Sequence, residues 1–124
     1  MRLLLDTHAL LWWLADEGLQ PQAQDAIADP ANLVAVSAAS AWEISVKRAL
    51  GKLAAPDDLE QQMQAGGLVP LPISIAHGTA AGRLPHHHED PFDRMLIAQA
   101  FAEGLTIVTR DKRFADYGVP LLPA

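Results

Sequence analysis

Residues 2–14, RLLLDTHALLWWL, change from a strand pattern to a helix pattern around a single carboxylate, Asp6. The apolar run at residues 2–5 has the length of a short buried strand. From Thr7 onward, apolar residues recur at helical spacing through Leu10. A lone buried carboxylate is costly, so Asp6 must be exposed, paired or used. The stretch therefore predicts a strand, then an acid, then a helix.

The rest of the chain alternates the same two patterns. Short apolar runs predict further strands at residues 33–36, 68–73, 106–109 and 119–122, and helical spacing predicts helices at residues 21–28, 41–53, 57–65, 74–83 and 91–103. Either Ser37 or Ser40 can cap the helix at 41–53. Two prolines weaken the run at 68–73 and place that strand at a sheet edge. Such alternation is typical of a mainly parallel sheet with helices on both faces. We therefore expect one α/β domain over residues 1–124.

Composition narrows the classes of function. The chain has no cysteine, which excludes disulfides, a thiol nucleophile and cysteine-ligated zinc or iron–sulfur sites. Nine Lys and Arg against fifteen Asp and Glu give a net charge of −6, which argues against a nucleic-acid partner unless the acids converge on bound cations. The longest unbroken apolar run, Ala9 to Ala15, is too short to cross a bilayer. We therefore expect no membrane association and a location in the reducing cytoplasm.

Two acids are predicted directly after strands. Asp6 follows the strand at residues 2–5, and Asp111 follows the strand at 106–109 after one residue, Arg110. In an open parallel sheet, ligands bind beyond the carboxyl ends of the strands. Both acids are therefore expected at the same edge of the sheet.

Two further acids are predicted on helices that pack against this edge. A helical wheel places Glu43 at the border of an apolar face that would turn toward the sheet, made of Trp42, Val46, Ala49, Leu50 and Leu53. Asp93 shares a column with Leu96 and Ile97 in the first turn of the helix at residues 91–103, so it is expected to face inward.

Single acids also have purely structural interpretations. Asp90 before Pro91 is the pattern of a helix N-cap, and Asp93 would favour the dipole of the same helix. Asp111 would cap a turn, and Glu43 would pair with a lysine one helical turn later. Each of these interpretations explains one acid and leaves the convergence of four unexplained.

Four acids at one end of one sheet would repel one another. Each close pair costs about 4 kcal/mol at an effective dielectric of about 20. A bound cation would offset this repulsion, and carboxylate oxygens without cysteine suit Mg²⁺ or Mn²⁺. Asp6 is thus predicted to be used, as a metal ligand at a strand exit.

Four segments, in this order and at this spacing, carry a resemblance to a known family: LLLDTHALLWWL at 3–14, SAASAWEISVKRALGKL at 37–53, DPFDRMLIAQA at 90–100 and IVTRD at 107–111. The chain is similar to the PIN-domain ribonuclease toxins of bacterial toxin–antitoxin modules, of the VapC type, over nearly its whole length. The resemblance implies a three-layer α/β/α fold and an endoribonuclease that depends on Mg²⁺ or Mn²⁺. It also implies RNA as substrate, a homodimer, and a small antitoxin protein that holds the toxin inactive.

The resemblance also assigns roles to residues. Its four catalytic acids match Asp6, Glu43, Asp93 and Asp111. The three aspartates would be metal ligands, and Glu43 a ligand or a base that orients water. Thr7 and Thr109 match small polar positions beside the metal, while Asp90 and Arg110 are accessory or substrate-contacting candidates. Hydrolysis at such a site leaves a 5′-phosphate and a 3′-hydroxyl.

Three other features have open interpretations. Basic residues that would bind RNA phosphates, or only solvate a surface, are Lys47, Arg48, Lys52, Arg110, Lys112 and Arg113. The histidines at 86–88 are expected in a polar loop near the mouth of the site, with substrate contact or metal binding as alternatives. Trp12 and Trp13 are adjacent, so only one can point fully into the core, and the other is a candidate for a partner surface.

Other functional classes fit less well. A phosphoryl-accepting signalling domain would need an acceptor aspartate after a central strand, where Ser37 stands. An aspartate-nucleophile phosphatase would need a second aspartate at the position of His8. A catalytically silent module that uses the same fold to bind RNA or protein stays open as the alternative function.

Overall fold

Five parallel strands form the centre of the protein, which a computed structural model describes over residues 1–124. The strands are β1 (Arg2–Leu5), β2 (Leu33–Ser37), β3 (Val69–Leu71), β4 (Thr106–Thr109) and β5 (Leu121–Pro123). Their order is β3-β2-β1-β4-β5, and every neighbouring pair is parallel. The parallel sheet and the edge position of β3 are confirmed.

Six helices and one 3₁₀ turn connect the strands. They are α1 (Thr7–Ala15), α2 (Pro21–Ala28), α3 (Ala38–Ala49), α4 (Leu59–Ala65), α5 (Ile75–Arg83), α6 (Pro91–Glu103) and the 3₁₀ turn Lys112–Tyr117. The bounds of α2 and α6 agree with the sequence patterns. Of the two caps expected for α3, Ser37 is the one observed: its hydroxyl accepts from the Ala39 amide, so the helix begins at Ala38. No helix here is both long and apolar enough to cross a bilayer.

The central strand β1 contributes to two hydrophobic cores, one on each face of the sheet. Leu3 and Leu5 point to one face, where α1 and α2 pack, and Leu4 points to the other, where α6 packs. All three leucines are fully buried. Burying one leucine side chain stabilises the fold by about 1.5–3 kcal/mol, so this short strand is a large part of what fixes the layer arrangement.

The strand order reverses between β1 and β4. From β1 the chain continues through β2 to β3 on one side, and β4 and β5 lie on the other side. Connections that leave these two strands therefore diverge to opposite faces, which opens a crevice at their carboxyl ends. Asp6 directly follows β1, and Asp111 follows β4 after one residue.

The apolar face predicted on α3 is turned to solvent. Trp42 and Leu50 are 63% and 62% exposed, and Val46 is also exposed. The helix instead buries Ala39, Ser40, Glu43 and Ile44. The sequence pattern was therefore wrong about the orientation of this face, although it was right that Glu43 turns inward. Trp42 is partly covered by Phe92 of α6, with ring centroids 5.2 Å apart.

Candidate active site

An open cavity of about 480 Å³ lies at the carboxyl ends of β1 and β4. All four predicted acids line it, and Trp12 is its one apolar residue. The complete lining is Asp6, Thr7, His8, Trp12, Glu43, Lys47, Asp90, Asp93, Arg110, Asp111 and Arg113. The topology thus brings together acids that are more than a hundred positions apart in the chain.

Asp6 is buried at the bottom of the cavity, with 6% of its surface exposed. One carboxylate oxygen caps α1 by accepting from the Ala9 amide at 2.8 Å, and the other accepts from the Thr109 hydroxyl at 2.6 Å. Desolvation by burial raises the pKa of Asp6, and these two hydrogen bonds act against that rise. The nearby Asp111 carboxylate raises the pKa further.

Glu43 lies beside Asp6 at the same depth, with 3% exposed. The Thr7 hydroxyl donates to one Glu43 oxygen at 2.6 Å, and the Lys47 ammonium pairs with the other. This hydrogen bond to Glu43 is the main cause that raises the pKa of Lys47. The expected Glu43–Lys47 pair is therefore present, inside the cavity. We call Asp6 and Glu43 the floor of the cavity.

Asp90 and Asp93 stand at the start of α6. Asp90 is the predicted N-cap, accepting from the amides of Phe92 and Asp93 at 2.8 and 3.1 Å. Burial, followed by repulsion from the Asp90 carboxylate, raises the pKa of Asp93 to about 6, and a hydrogen bond from His88 opposes that rise. Two acids three residues apart thus share one helix N-terminus, whose dipole favours negative charge.

Asp111 and Arg113 form the rim of the cavity. Arg113 donates from Nη2 to Asp111 Oδ2 at 2.7 Å and from Nε to Oδ1 at 3.1 Å. These hydrogen bonds lower the pKa of Asp111. Asp111 also caps the following 3₁₀ turn through the Arg113 amide, as its structural interpretation predicted. The carboxylate of Asp111 is therefore already paired with a positive side chain, Arg113.

Arg110 closes one side of the cavity. Its guanidinium lies 4.0 Å from the centre of the Trp12 ring and donates to the carbonyls of Gly18 and Ala124. Gly18 adopts φ +97°, and a Cβ there would lie 2.9 Å from the Trp12 ring. The indole is thus seated on a position that only glycine fits. Trp12 and Trp13 are both half-buried against the core, so neither points fully into it and neither is fully exposed.

The donor set suits a hard divalent cation. Five carboxylates and three basic side chains line the cavity, so its formal charge is negative before any ion binds. One oxygen of Asp93, one of Asp111 and His88 Nε2 lie within 4.8 Å of one another. Oxygen-rich, sulfur-free sites of this kind match Mg²⁺ and Mn²⁺.

Comparison with known proteins agrees with the fold. Residues 3–120 match the family described as PIN domain. The chain belongs to the PIN-domain family. This PIN domain is 28% identical to Ribonuclease VapC22 of Mycobacterium tuberculosis, over 94% of this chain and 92% of the relative.

Solved structures share the fold of this PIN domain. One is VapBC2 from Rickettsia felis bound to a DNA fragment from their promoter, with a TM-score of 0.72 and 17% identity over 98% of both chains. Another is VapBC-5 from Mycobacterium tuberculosis, a toxin–antitoxin system, with a TM-score of 0.62 and 20% identity over 99% of this chain and 98% of that one. The three-layer PIN-like architecture predicted from the sequence is thereby confirmed.

The predicted site residues are gathered in this PIN domain, but their chemical roles stay predictions. Thr7, Asp90 and Arg110 line the cavity with the four acids, and Thr109 lies behind Asp6. Of the basic residues offered for RNA, Lys47, Arg110 and Arg113 line it, and Arg48 instead pairs with Asp57.

Sequence reasoning missed His88. The histidines were expected as a polar loop, and His86 and His87 are indeed exposed, but the His88 ring is buried against Asp93. Its signal in the sequence is its place two residues before the Asp90 cap, where a side chain can fold back over the first turn of the helix.

Proposed function

We propose that this PIN domain is a metal-dependent endoribonuclease, the toxin component of a toxin–antitoxin module. The observation that carries the proposal is the convergence of Asp6, Glu43, Asp93 and Asp111 in one polar cavity. Glu43 is stabilised by its pair with Lys47, but the buried Asp6 carboxylate raises the free energy of the folded state unless it binds a cation. Similarity to a relative named as a ribonuclease supports the same activity.

Asp6, Asp93 and Asp111 would hold Mg²⁺ or Mn²⁺. When bound, such an ion supplies a nucleophile at neutral pH by lowering the pKa of water, and it offsets negative charge on a phosphodiester undergoing in-line displacement. Thr109 fixes the orientation of Asp6 through its hydroxyl, so that carboxylate is in place before substrate arrives. The Thr7 hydroxyl holds Glu43 in the same way, and Glu43 would orient the water that attacks the phosphodiester.

Lys47 and Arg113 are the residues that we assign to phosphate binding. Both side chains line the cavity, and each is paired with an acid of the site, Glu43 or Asp111. Arg110 is held by two backbone carbonyls and serves mainly to fix the wall. Binding that uses these cations weakens with added salt because phosphate contacts release counterions.

Two protein partners belong to the same proposal. Solved structures with this fold are toxin–antitoxin complexes, which supports an antitoxin as one partner. The other is a second copy of the chain, and the exposed stripe of Trp42, Val46 and Leu50 on α3 supports it by offering an apolar surface next to the cavity. Leu50→Glu should then shift the protein from dimer to monomer in sedimentation analysis.

A reducing cytoplasm is the compartment that fits RNA as substrate.

RNA cleavage by the purified protein tests the activity. We expect cleavage with Mg²⁺ or Mn²⁺, none with chelator, and loss of cleavage in Asp6→Asn and Asp93→Asn. Asp25→Asn, an exposed acid on α2 outside the cavity, is the matched control and should cleave normally. Absence of cleavage by folded, metal-supplied protein free of antitoxin would favour the silent binding module instead, and cleavage that survives both substitutions would refute the assigned site.

A further inference from the structure

His88 is buried between two of the acids assigned to the metal. Its side chain is 2% exposed, and Nε2 lies 2.7 Å from Asp93 Oδ2 and 3.9 Å from Asp111 Oδ2. The edge of its ring packs against Phe114, with centroids 6.0 Å apart. A buried polar ring at this place either binds the ion itself or arranges the acids that do.

The other ring nitrogen distinguishes these two roles. The backbone amide of Asp90 points at His88 Nδ1 across 3.4 Å, so Nδ1 acts as an acceptor. A neutral ring that accepts at Nδ1 carries its proton on Nε2, which then donates to Asp93. A metal bound at Nε2 would need the reverse arrangement, with a protonated Nδ1 facing the amide N–H. The hydrogen bonds therefore favour a donor over a metal ligand.

The segment that carries His88 is fixed from two directions. The Tyr117 hydroxyl accepts from the His88 amide at 2.9 Å and donates to the Pro85 carbonyl at 2.7 Å. The buried Arg94 guanidinium donates to the carbonyls of Pro85 and His88 at 2.9 and 3.3 Å, and to two carbonyls at the end of α5, Ala81 and Leu84. Arg94 pairs with no carboxylate, so its guanidinium stabilises this loop through hydrogen bonds to backbone carbonyls.

We infer that His88 is a positioning residue for the metal site. Its Nε2–H binds Asp93 Oδ2, which leaves the other Asp93 oxygen free for the ion and keeps Asp93 and Asp111 at a fixed separation. Arg94 and Tyr117 hold the backbone of the loop so that the ring cannot withdraw. The inference rests on the proposed function, because it concerns the ion that the acids would bind.

Mn²⁺ binding, measured by titration calorimetry without RNA, tests the inference directly. His88→Leu removes the donor, whereas His88→Gln places an amide N–H near the position of Nε2. We expect His88→Leu to weaken Mn²⁺ binding by about 10- to 100-fold, the usual effect of losing a partner of a metal ligand. His88→Gln should recover most of the affinity, and His86→Leu, in the exposed part of the same loop, should bind as the wild type does.

The same variants give a kinetic signature. In His88→Leu, we expect kcat with saturating Mn²⁺ to fall while KM for RNA changes little, since the ring does not line the cavity where RNA would bind. If His88→Leu fails to fold by circular dichroism, Tyr117→Phe replaces it, because it loosens the loop without removing the ring. That variant should weaken Mn²⁺ binding by a smaller factor.

Each remaining outcome is decisive. Wild-type affinity in His88→Leu, or in Tyr117→Phe where that variant replaces it, would overturn the positioning role. Equal loss in His88→Gln and His88→Leu would overturn the donor role in favour of a metal-binding imidazole. If the wild-type protein binds Mn²⁺ but cleaves no RNA, the proposed nuclease activity is rejected. The positioning role of His88 is then decided by the Mn²⁺ affinities of the variants alone. If the wild-type protein binds no Mn²⁺, both the metal-dependent activity and the positioning role of His88 are overturned.

Discussion

The floor and the rim of the cavity hold their carboxylates by different means. On the floor, Asp6 is buried and accepts from a neutral donor, the Thr109 hydroxyl. At the rim, Asp111 is partly exposed and accepts from the charged guanidinium of Arg113. A hydroxyl fixes the direction of a carboxylate without neutralising it, whereas a guanidinium does both. Asp6 therefore keeps uncompensated charge available to a cation, and this charge lowers the stability of the protein when no cation is bound.

Replacing the floor aspartate should have the largest effect. Asp6→Asn keeps the acceptor for the Ala9 amide but removes the buried charge. RNA cleavage should therefore fall by at least about 100-fold, because removing a metal ligand has a larger effect than removing the hydrogen-bond partner of a ligand. Without metal, the same variant should be more stable than the wild type near neutral pH, because burial raises the pKa of Asp6 and the cost of desolvating its carboxylate disappears. Urea unfolding in chelator measures this. A less stable variant would mean that the floor charge supports the fold, which contradicts the contrast with the rim.

The hydroxyl that holds Asp6 should matter next. Thr109→Val keeps the shape of the side chain and removes the donor at 2.6 Å. The pKa of Asp6 should rise further, and Mn²⁺ affinity should fall by about 10- to 100-fold. Thr79→Val, an exposed threonine on α5 whose hydroxyl donates to the local Ile75 carbonyl, is the control. Equal calorimetric titrations for the two variants would show that Asp6 needs no fixed orientation.

The pH dependence of stability should have opposite signs for Asp93 and Asp111. The folded pKa of Asp93 is raised from 3.8 to about 6, so metal-free protein loses stability as pH rises from about 4 to about 6, by at most about 3 kcal/mol. The folded pKa of Asp111 is lowered, so its contribution is present above pH 3.8 and lost as pH falls through the folded value.

Unfolding free energies measured across this range in chelator provide the check. Asp93→Asn should become progressively more stable than the wild type as pH rises toward 6. Asp111→Asn should show a small deficit above pH 4 that disappears in acid. If the unfolding free energies of the two variants changed with pH in the same way, the Asp93 and Asp111 environments would not differ as described.

The smallest effect is expected at the rim. Arg113→Ala should leave the melting temperature almost unchanged, because ion pairs at an exposed surface contribute little to stability. It should strengthen Mn²⁺ binding slightly at low salt, since Asp111 loses a competing cation, and the difference should vanish at high salt. Arg83→Ala on α5, also exposed, is the matched control. Weaker Mn²⁺ binding in Arg113→Ala would instead mean that Arg113 orients Asp111.

The fold was predictable because β1 and its flanking pattern left few alternatives. A buried run of three leucines followed by an acid and a helix defines a central parallel strand, and alternation supplies the other layers. The prediction failed at α3 for its apolar face, because Trp42 and Leu50 face solvent, although Glu43 is buried as expected. A helical wheel compares the faces of a helix only by how apolar they are. In this helix the buried face includes Glu43, which accepts a hydrogen bond from Thr7 of another helix, and a wheel does not include such contacts.

The acids of the site could be placed from sequence because strand exits and helix starts are local features. His88 could not, because its position depends on contacts with residues far along the chain. The Tyr117 hydroxyl that binds its amide lies 29 residues away, and the Arg94 guanidinium spans the loop from Ala81 to His88. Such contacts leave no periodic pattern in the sequence, so the sequence predicts a polar loop near the site and does not distinguish His88 from the two histidines before it.

The pairing of β1 with β4 also has a consequence for how the molecule is made. Asp6 is synthesised before the hydroxyl that orients it, because Thr109 lies 103 residues later in the chain. A growing chain can form β1 and β2 early and still lack two walls of the cavity. The site is therefore complete only after β4 has been synthesised and has paired with β1.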